Sequence, residues 1–281
     1  MFKQLTNLAS HLLFTVLLLS NVSCLSFDYK PEATKTFSSD VAVLSYNVDS
    51  EEIYFDRREE EYIETYKGVP LYTQQPSLPN SCGPTAGAII VGFYDRYYED
   101  LIPNFTSYYP ATGLYKSADR TYIPVLQNDL YVEMKTNVAD VGVNETDCLN
   151  GLKQYVNKKN RAIQYSSVKS GSSINESSYI NALNANHPVI LFNNSTDVYM
   201  FGYASDHDIF VKSTIDGNHI YVAYGLYRVK YYRNNGNVRT DTYLRVACGL
   251  SLLDDGFIRI SSTEVSVSNQ WLNSAYAVAI S

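Results

Sequence analysis

The apolar period of this chain changes near residue 188, and that change limits the folds open to it. Before it, apolar residues recur at helical spacing. In the stretch 82–98, "CGPTAGAIIVGFYDRYY", Ala86, Ile89, Ile90, Phe93 and Tyr97 fall at i, i+3, i+4, i+7 and i+11, one stripe of a helix. "TYIPVLQNDLYVEMKT" predicts a second helix starting near Pro124. "NETDCLNGLKQYVNKKN" predicts a third, capped by Thr146 or Asp147, and "NESSYINALNAN" a fourth that ends before Pro188. After the change come β-branched and aromatic runs: "PVILFNN", "NHIYVAYGLYRVKYY", "TDTYLRVAC", "GFIRI" and "SAYAVAI". "RNNGN" at 233–237 is a hairpin turn in which Gly236 takes the positive φ. Helices first and antiparallel strands later predict an α+β fold.

The first residues, "MFKQLTNLASHLLFTVLLLSNVSCLS", combine Lys3, a short apolar run from Leu12 to Leu19 and small residues after it. That is the pattern of a secretory signal peptide over 1–24 and too short for a membrane span. The protein is therefore expected to be secreted or held at the cell surface. Cys24 leaves a lipid anchor open, although Asn21-Val22-Ser23 lacks the usual upstream leucine. Residues 25–65 are acidic and read as a spacer or removable pro-segment; an N-terminal strand and loop of the main domain is the alternative. From Lys67 no long linker and no repeat occurs, so 66–281 is one domain. The net charge of −7 and the absence of a basic patch argue against a nucleic-acid partner.

Four cysteines, Cys24, Cys82, Cys148 and Cys248, are too few for a disulfide scaffold. Cys148 and Cys248 could pair, which would leave Cys82 alone. Cys82 opens the first helix, after Asn80 and Ser81 as candidate caps and before Pro84, which suits a first turn. Unpaired backbone N–H groups and the positive end of the helix dipole meet there. Such a site is expected to lower a thiol pKa from ~8.5 toward ~3.5–7.5, and Gly83 would leave room for a substrate backbone. A thiolate nucleophile also needs a proton carrier and oxyanion donors. Of the four histidines, His11 lies in the signal, His187 reads as a turn residue and His207 as a solvated loop residue in "YASDHDIF". His219 heads the longest strand, where its ring would stand at the sheet end.

"VPLYTQQPSLPNSCGPTAGAIIVGFYDRYY", followed much later by "GNHIYVAYGLYRVKYY" and "DDGFIRI", resembles the papain-fold cysteine peptidases. Within them it is most similar to the bacteriocin-processing, double-glycine-leader peptidases and their relatives, the C-thirty-nine-like group, over residues 69 to about 260. The resemblance implies a papain-like fold, a helical half whose nucleophile helix packs on a twisted antiparallel sheet half. It implies Cys82 as nucleophile, His219 as general base and acid, and Gln74 (or Gln75) with the Cys82 N–H as oxyanion donors. Relatives place Asn or Asp on the strand after the histidine strand to orient the imidazole. The matching positions here are Ala247 and Cys248, which cannot do so; Asp254 or Asp255 is the remaining candidate.

The expected activity is hydrolysis of peptide bonds by a monomeric enzyme without metal or cofactor, acting on a peptide or protein. "DHD" at 206–208 could hold a cation but reads better as a solvated loop. Loops 99–121 and 193–218, rich in Tyr, Phe and Pro, are the candidate cleft walls and suggest apolar substrate side chains. The same thiol could instead transfer an acyl group or cleave another amide. A non-catalytic surface binding protein is the third reading, favoured by Ala247 and Cys248.

Overall fold

The structure, a computed structural model, describes residues 44–116, 120–138 and 142–281. The expected signal peptide and Cys24 lie outside the described residues. In chain order come β1 (Leu44–Tyr54), β2 (Arg57–Glu64), α1 (Cys82–Asp95), β3 (Tyr108–Tyr109), β4 (Leu114–Tyr115), α2 (Tyr122–Glu133) and α3 (Glu145–Lys158). Then follow β5 (Ile163–Ser167), β6 (Lys169–Ser170), β7 (Ser173–Ile174), α4 (Glu176–Asn184), β8 (Val189–Asn193), β9 (Thr196–Tyr203), β10 (His207–Ile215), β11 (His219–Tyr232), β12 (Val238–Leu250), β13 (Leu253–Ser262) and β14 (Leu272–Ile280). Ten of these strands form one antiparallel sheet in the order β1-β10-β9-β13-β12-β11-β8-β14-β5, with β2 pairing β11. The molecule is α+β, with four helices among the described residues.

Strand β11 is the organising element. Its first residues pair β8, from His219 opposite Asn193 to Ala223 opposite Val189. Its later residues pair β2, from Gly225 opposite Glu64 to Tyr232 opposite Arg57. From Val222 to Tyr232 it also runs beside β12. Ile220, Val222 and Tyr224 face one core, shared with α1, α2 and α3; Tyr221 and Ala223 face another, shared with α4. This is the two-residue alternation of a strand covered on both faces. A third cluster of Phe201, Phe210, Tyr227, Tyr231 and Tyr243 fills the far end of the sheet.

Helix α1 is buried on every side from Gly83 to Asp95, as befits a central helix. Ile89, Ile90 and Phe93 are almost fully covered, each worth roughly 1.5–3 kcal/mol of burial. Neither expected cap serves it. The Ser81 hydroxyl is buried without a partner, and the Asn80 amide donates to Asn137 instead. The third helix starts earlier than expected, capped by Asn144, whose side chain accepts from the Asp147 N–H at 2.9 Å. Asn175 caps α4 in the same way.

Three expectations change with the sheet. The described part of the 25–65 stretch, from residue 44, supplies β1 and β2. It is tied in by Glu51, which accepts from Arg239 and from Arg259 at 2.6 Å each, and by the Arg58–Asp208 ion pair. The stretch 193–218 is largely a hairpin of β9 and β10 rather than a loop; there His207 stacks on Tyr54 and Asp208 is buried against Tyr231. Cys148 and Cys248 are both free, and they sit in different cores on opposite sides of the sheet.

Candidate active site

Cys82 is the first residue of α1 and is partly buried. Its thiol lies against the backbone N–H groups of Ile220, Gly83 and Cys82 itself. Those donors pull its pKa down, but burial pushes it up by more, so the net shift is upward. The expected depression does not occur in the resting site, because desolvation outweighs the helix terminus. Gly83 does not open space for a substrate. A Cβ there would lie 2.5 Å from Val143 Cγ1 and 3.4 Å from Ile220 Cδ1, so the missing side chain lets the helix start press onto β11.

His219 opens β11 and is buried, 2% exposed. Its ring meets Tyr221 edge to face at 4.6 Å. Nε2 is 2.8 Å from the carbonyl oxygen of Cys248 on β12. A carbonyl only accepts, so Nε2 carries the proton and Nδ1 keeps the lone pair. Nδ1 is buried and makes no hydrogen bond. Burial lowers the imidazole pKa to about 4, against a smaller upward pull from the Cys248 carbonyl. At neutral pH the site therefore holds a neutral thiol and a neutral imidazole with an open acceptor.

The loop before α1 carries two glutamines with different fates. The Gln75 amide donates to the Pro124 carbonyl at 3.0 Å and to Gln127 Oε1 at 2.8 Å, which turns it into the helical layer. Gln127 in turn donates to the Thr73 carbonyl and to Thr85 Oγ1. Gln74 between them has its N–H on the Gly249 carbonyl at 2.8 Å, and its side chain faces the cleft. Of the two, only Gln74 lines the cleft.

Cys82, His219 and Gln74 line one cleft of about 710 Å³. The other walls are the start of α3 with Asn144 and Glu145, the β10–β11 turn with Asp216 and Asn218, and Asn193 at the end of β8. The loop at 99–121 lines none of it among the described residues, and of 193–218 only the ends do. The apolar part of the walls comes from Val143, Phe192, Ile220 and Leu250 rather than from those loops, beside the amides and two acids, with no Lys or Arg among the described lining residues. Glu145 is fixed there by the hydroxyls of Ser274 and Tyr276. Asn193, opposite His219 in the ladder, was not singled out in the sequence; its Oδ1 is buried without a partner. The pair "NN" at the end of an apolar strand was the only trace of it.

The acids proposed to hold the imidazole are elsewhere. Asp255 binds Arg245 at 2.8 Å and Tyr224 at 2.8 Å, and Asp254 is exposed. Asp241 lies opposite Val229, far along the strand, within a buried group with Arg239, Tyr243 and Ser262. Among the described residues no cluster of three or more His, Cys, Asp or Glu side chains could hold a metal ion, "DHD" included. No helix among them is long and apolar enough to cross a membrane.

Compared with known families, residues 66–240 match the model of the Peptidase_C39 like family, well over half of the chain. The chain belongs to that family. Membership makes it a member of a cysteine-peptidase family, with a protein or peptide as the class of substrate. The matched region holds Gln74, Cys82 and His219, whereas the carbonyl on the imidazole, at Cys248, lies beyond it. No curated protein and no solved structure matches the chain.

Proposed function

We propose that the protein is an exported cysteine peptidase of papain-like fold, with Cys82 as nucleophile, His219 as acid and base, and Gln74 as oxyanion donor. The observation that carries this reading is the convergence of these three residues on one cleft, from a helix start, a strand start and the loop before that helix. Export rests on the N-terminal sequence.

The chemistry follows from the tautomer. His219 Nδ1 takes the Cys82 proton as Sγ bonds to the scissile carbonyl carbon, and the carbonyl oxygen becomes an oxyanion. The Gln74 amide and the Cys82 N–H donate to it. The tetrahedral species collapses, the C–N bond breaks, and Nδ1 returns its proton to the leaving nitrogen. Water then attacks the thioester, gives a proton to Nδ1 and releases the acid, and the proton goes back to sulfur. With both groups neutral at rest, charge separation belongs to the reaction step. The acids Glu145 and Asp216, in a described lining without Lys or Arg, suit basic side chains beside the scissile bond, and Val143, Phe192, Ile220 and Leu250 can cover their alkyl stems.

Product analysis tests this against acyl transfer. Peptide turnover in the presence of added amines, read by mass spectrometry, is expected to give the free acid as the main product. Amide products at low amine concentration would instead make the protein a transferase. Labelling by a peptidyl electrophile is expected at Cys82 alone; labelling at another residue would contradict the assignment.

A further inference from the structure

The histidine strand's neighbour lacks the side chain that would hold the imidazole, yet His219 is held. We propose that the bulge at Cys248-Gly249 replaces that side chain with a backbone carbonyl, and that Gly249 is the positioning residue that aims it. This rests on Cys82 and His219 forming the dyad described above.

Three observations converge on the dipeptide. The Cys248 carbonyl accepts the His219 Nε2 proton at 2.8 Å. The Gly249 carbonyl, next along, accepts the Gln74 N–H at 2.8 Å. Consecutive carbonyls of a strand normally point to opposite sides. Here one serves the proton carrier and the other the oxyanion loop. The conformation that allows this is a left-handed one, with Gly249 at φ +71°, where the β12–β13 ladder shifts register between Ala247 and Leu250. Glycine adopts it most readily, with Asn next, as Asn104 and Asn160 do here. The third observation is steric. A Cβ on Gly249 would stand 3.0 Å from Thr85 Cγ2, in the first turn of the nucleophile helix. The bulge thus touches all three parts of the site, the histidine, the Gln74 loop and the Cys82 helix.

A carbonyl does part of what an Asn or Asp does. It fixes the Nε2–H tautomer and the ring plane, so Nδ1 stays an acceptor. Unlike a carboxylate it carries no full charge, so it stabilises the imidazolium less. That agrees with a site that is neutral at rest. It also explains why Ala247 and Cys248 are tolerated: the side chains there are not used, because Cys248 is buried in the opposite core.

The test uses the full chain labelled with ¹⁵N-histidine, with His219→Gln to assign the signal. The expected result is a neutral ring protonated at Nε2, its proton protected from exchange. A resting ring protonated at Nδ1 would overturn the proposal without any further variant. Gly249→Ala should expose the Nε2 proton to exchange. It should also slow alkylation of Cys82 by iodoacetamide at least tenfold at fixed pH. Gly249→Asn combined with Thr85→Ser accepts positive φ and removes the crowding methyl, and should recover most of the loss. An unchanged Nε2 proton and alkylation rate in folded Gly249→Ala would also overturn the proposal. If tautomer and alkylation behave as expected while the wild type cleaves no peptide, the carbonyl assignment holds and the peptidase reading fails instead.

Discussion

Cys82 was legible from its place at a helix start, but its protonation was not. The helix terminus is visible in "SCGPT"; the core that buries the thiol is assembled from helices and strands far along the chain, Ile220 of β11 among them. Because burial raises the thiol and lowers His219 to about 4, no thiolate–imidazolium pair is expected at rest. Alkylation of Cys82 should therefore climb through the alkaline range, without a reactive plateau between pH 5 and 8. A plateau there, followed by peptide mapping of the labelled site, would show a preformed ion pair. The imidazole also carries a stability signature. Its folded pKa lies below the ordinary 6.5, so its contribution is complete above that pH and fades as pH falls toward about 4. The size is on the order of 3 kcal/mol. Asp95, raised to about 6 by burial, works in the opposite direction over the same window. The difference between wild type and His219→Gln in urea midpoints at pH 7 and 4.5 isolates the histidine. The wild type should lose more on acidification than the variant.

At the scale of elements, the four helices and the strands from "PVILFNN" onward were readable because each has one clean period. Strands β9 and β10 were not. Their inward positions include Thr196, Asp208 and Ser213, polar residues that blur the alternation, and Asp208 meets its partners Arg58 and Tyr231 only from distant strands. The same holds for the site. Choosing Gln74 over Gln75 depends on Gln127, one buried amide in α2 that closes bonds to Thr73, Gln75 and Thr85. Replacing Gln127 by Leu leaves those groups short of partners and should cost about 1–3 kcal/mol. Because the loop then loosens around Gln74, kcat should fall several-fold as well. Gln74→Ala should lower kcat by ~10²–10³ with little effect on folding. Thermal melts and steady-state kinetics on the two variants separate these outcomes. A Gln74→Ala enzyme as fast as wild type would remove the glutamine from the oxyanion site.

For the whole molecule, the acidic stretch before residue 66 matters most. Its composition left a spacer or pro-segment and a strand of the main domain both open, since "REEEYIE" has no apolar face of its own. In the sheet those charges meet arginines: Glu61 with Arg228, and Glu51 with Arg239 and Arg259. Arg58 is the ion-pair partner of Asp208, a nearly fully buried carboxylate. Removing one side of such a pair strands the other, at a cost of about 3–5 kcal/mol. A chain beginning at residue 66 also leaves one edge of β11 unpaired from Gly225 to Tyr232, with only β12 on the other. Truncation there should therefore lower the melting temperature sharply or prevent folding, and should not activate the protein. A stable, more active product from residue 66 onward would show that the stretch is an inhibitory pro-segment. Composition could not choose between the two readings because complementary charges in distant strands have no local pattern.

The central claim is that Cys82, served by His219, breaks peptide bonds. The most direct measurement is hydrolysis of a mixed fluorogenic peptide library under reducing conditions, by the chain without its first 24 residues and by its Cys82→Ala variant. The account predicts cleavage by the first, biased toward basic side chains, and none by the second. Equal activity in both, or cleavage by neither while both remain folded, would contradict it.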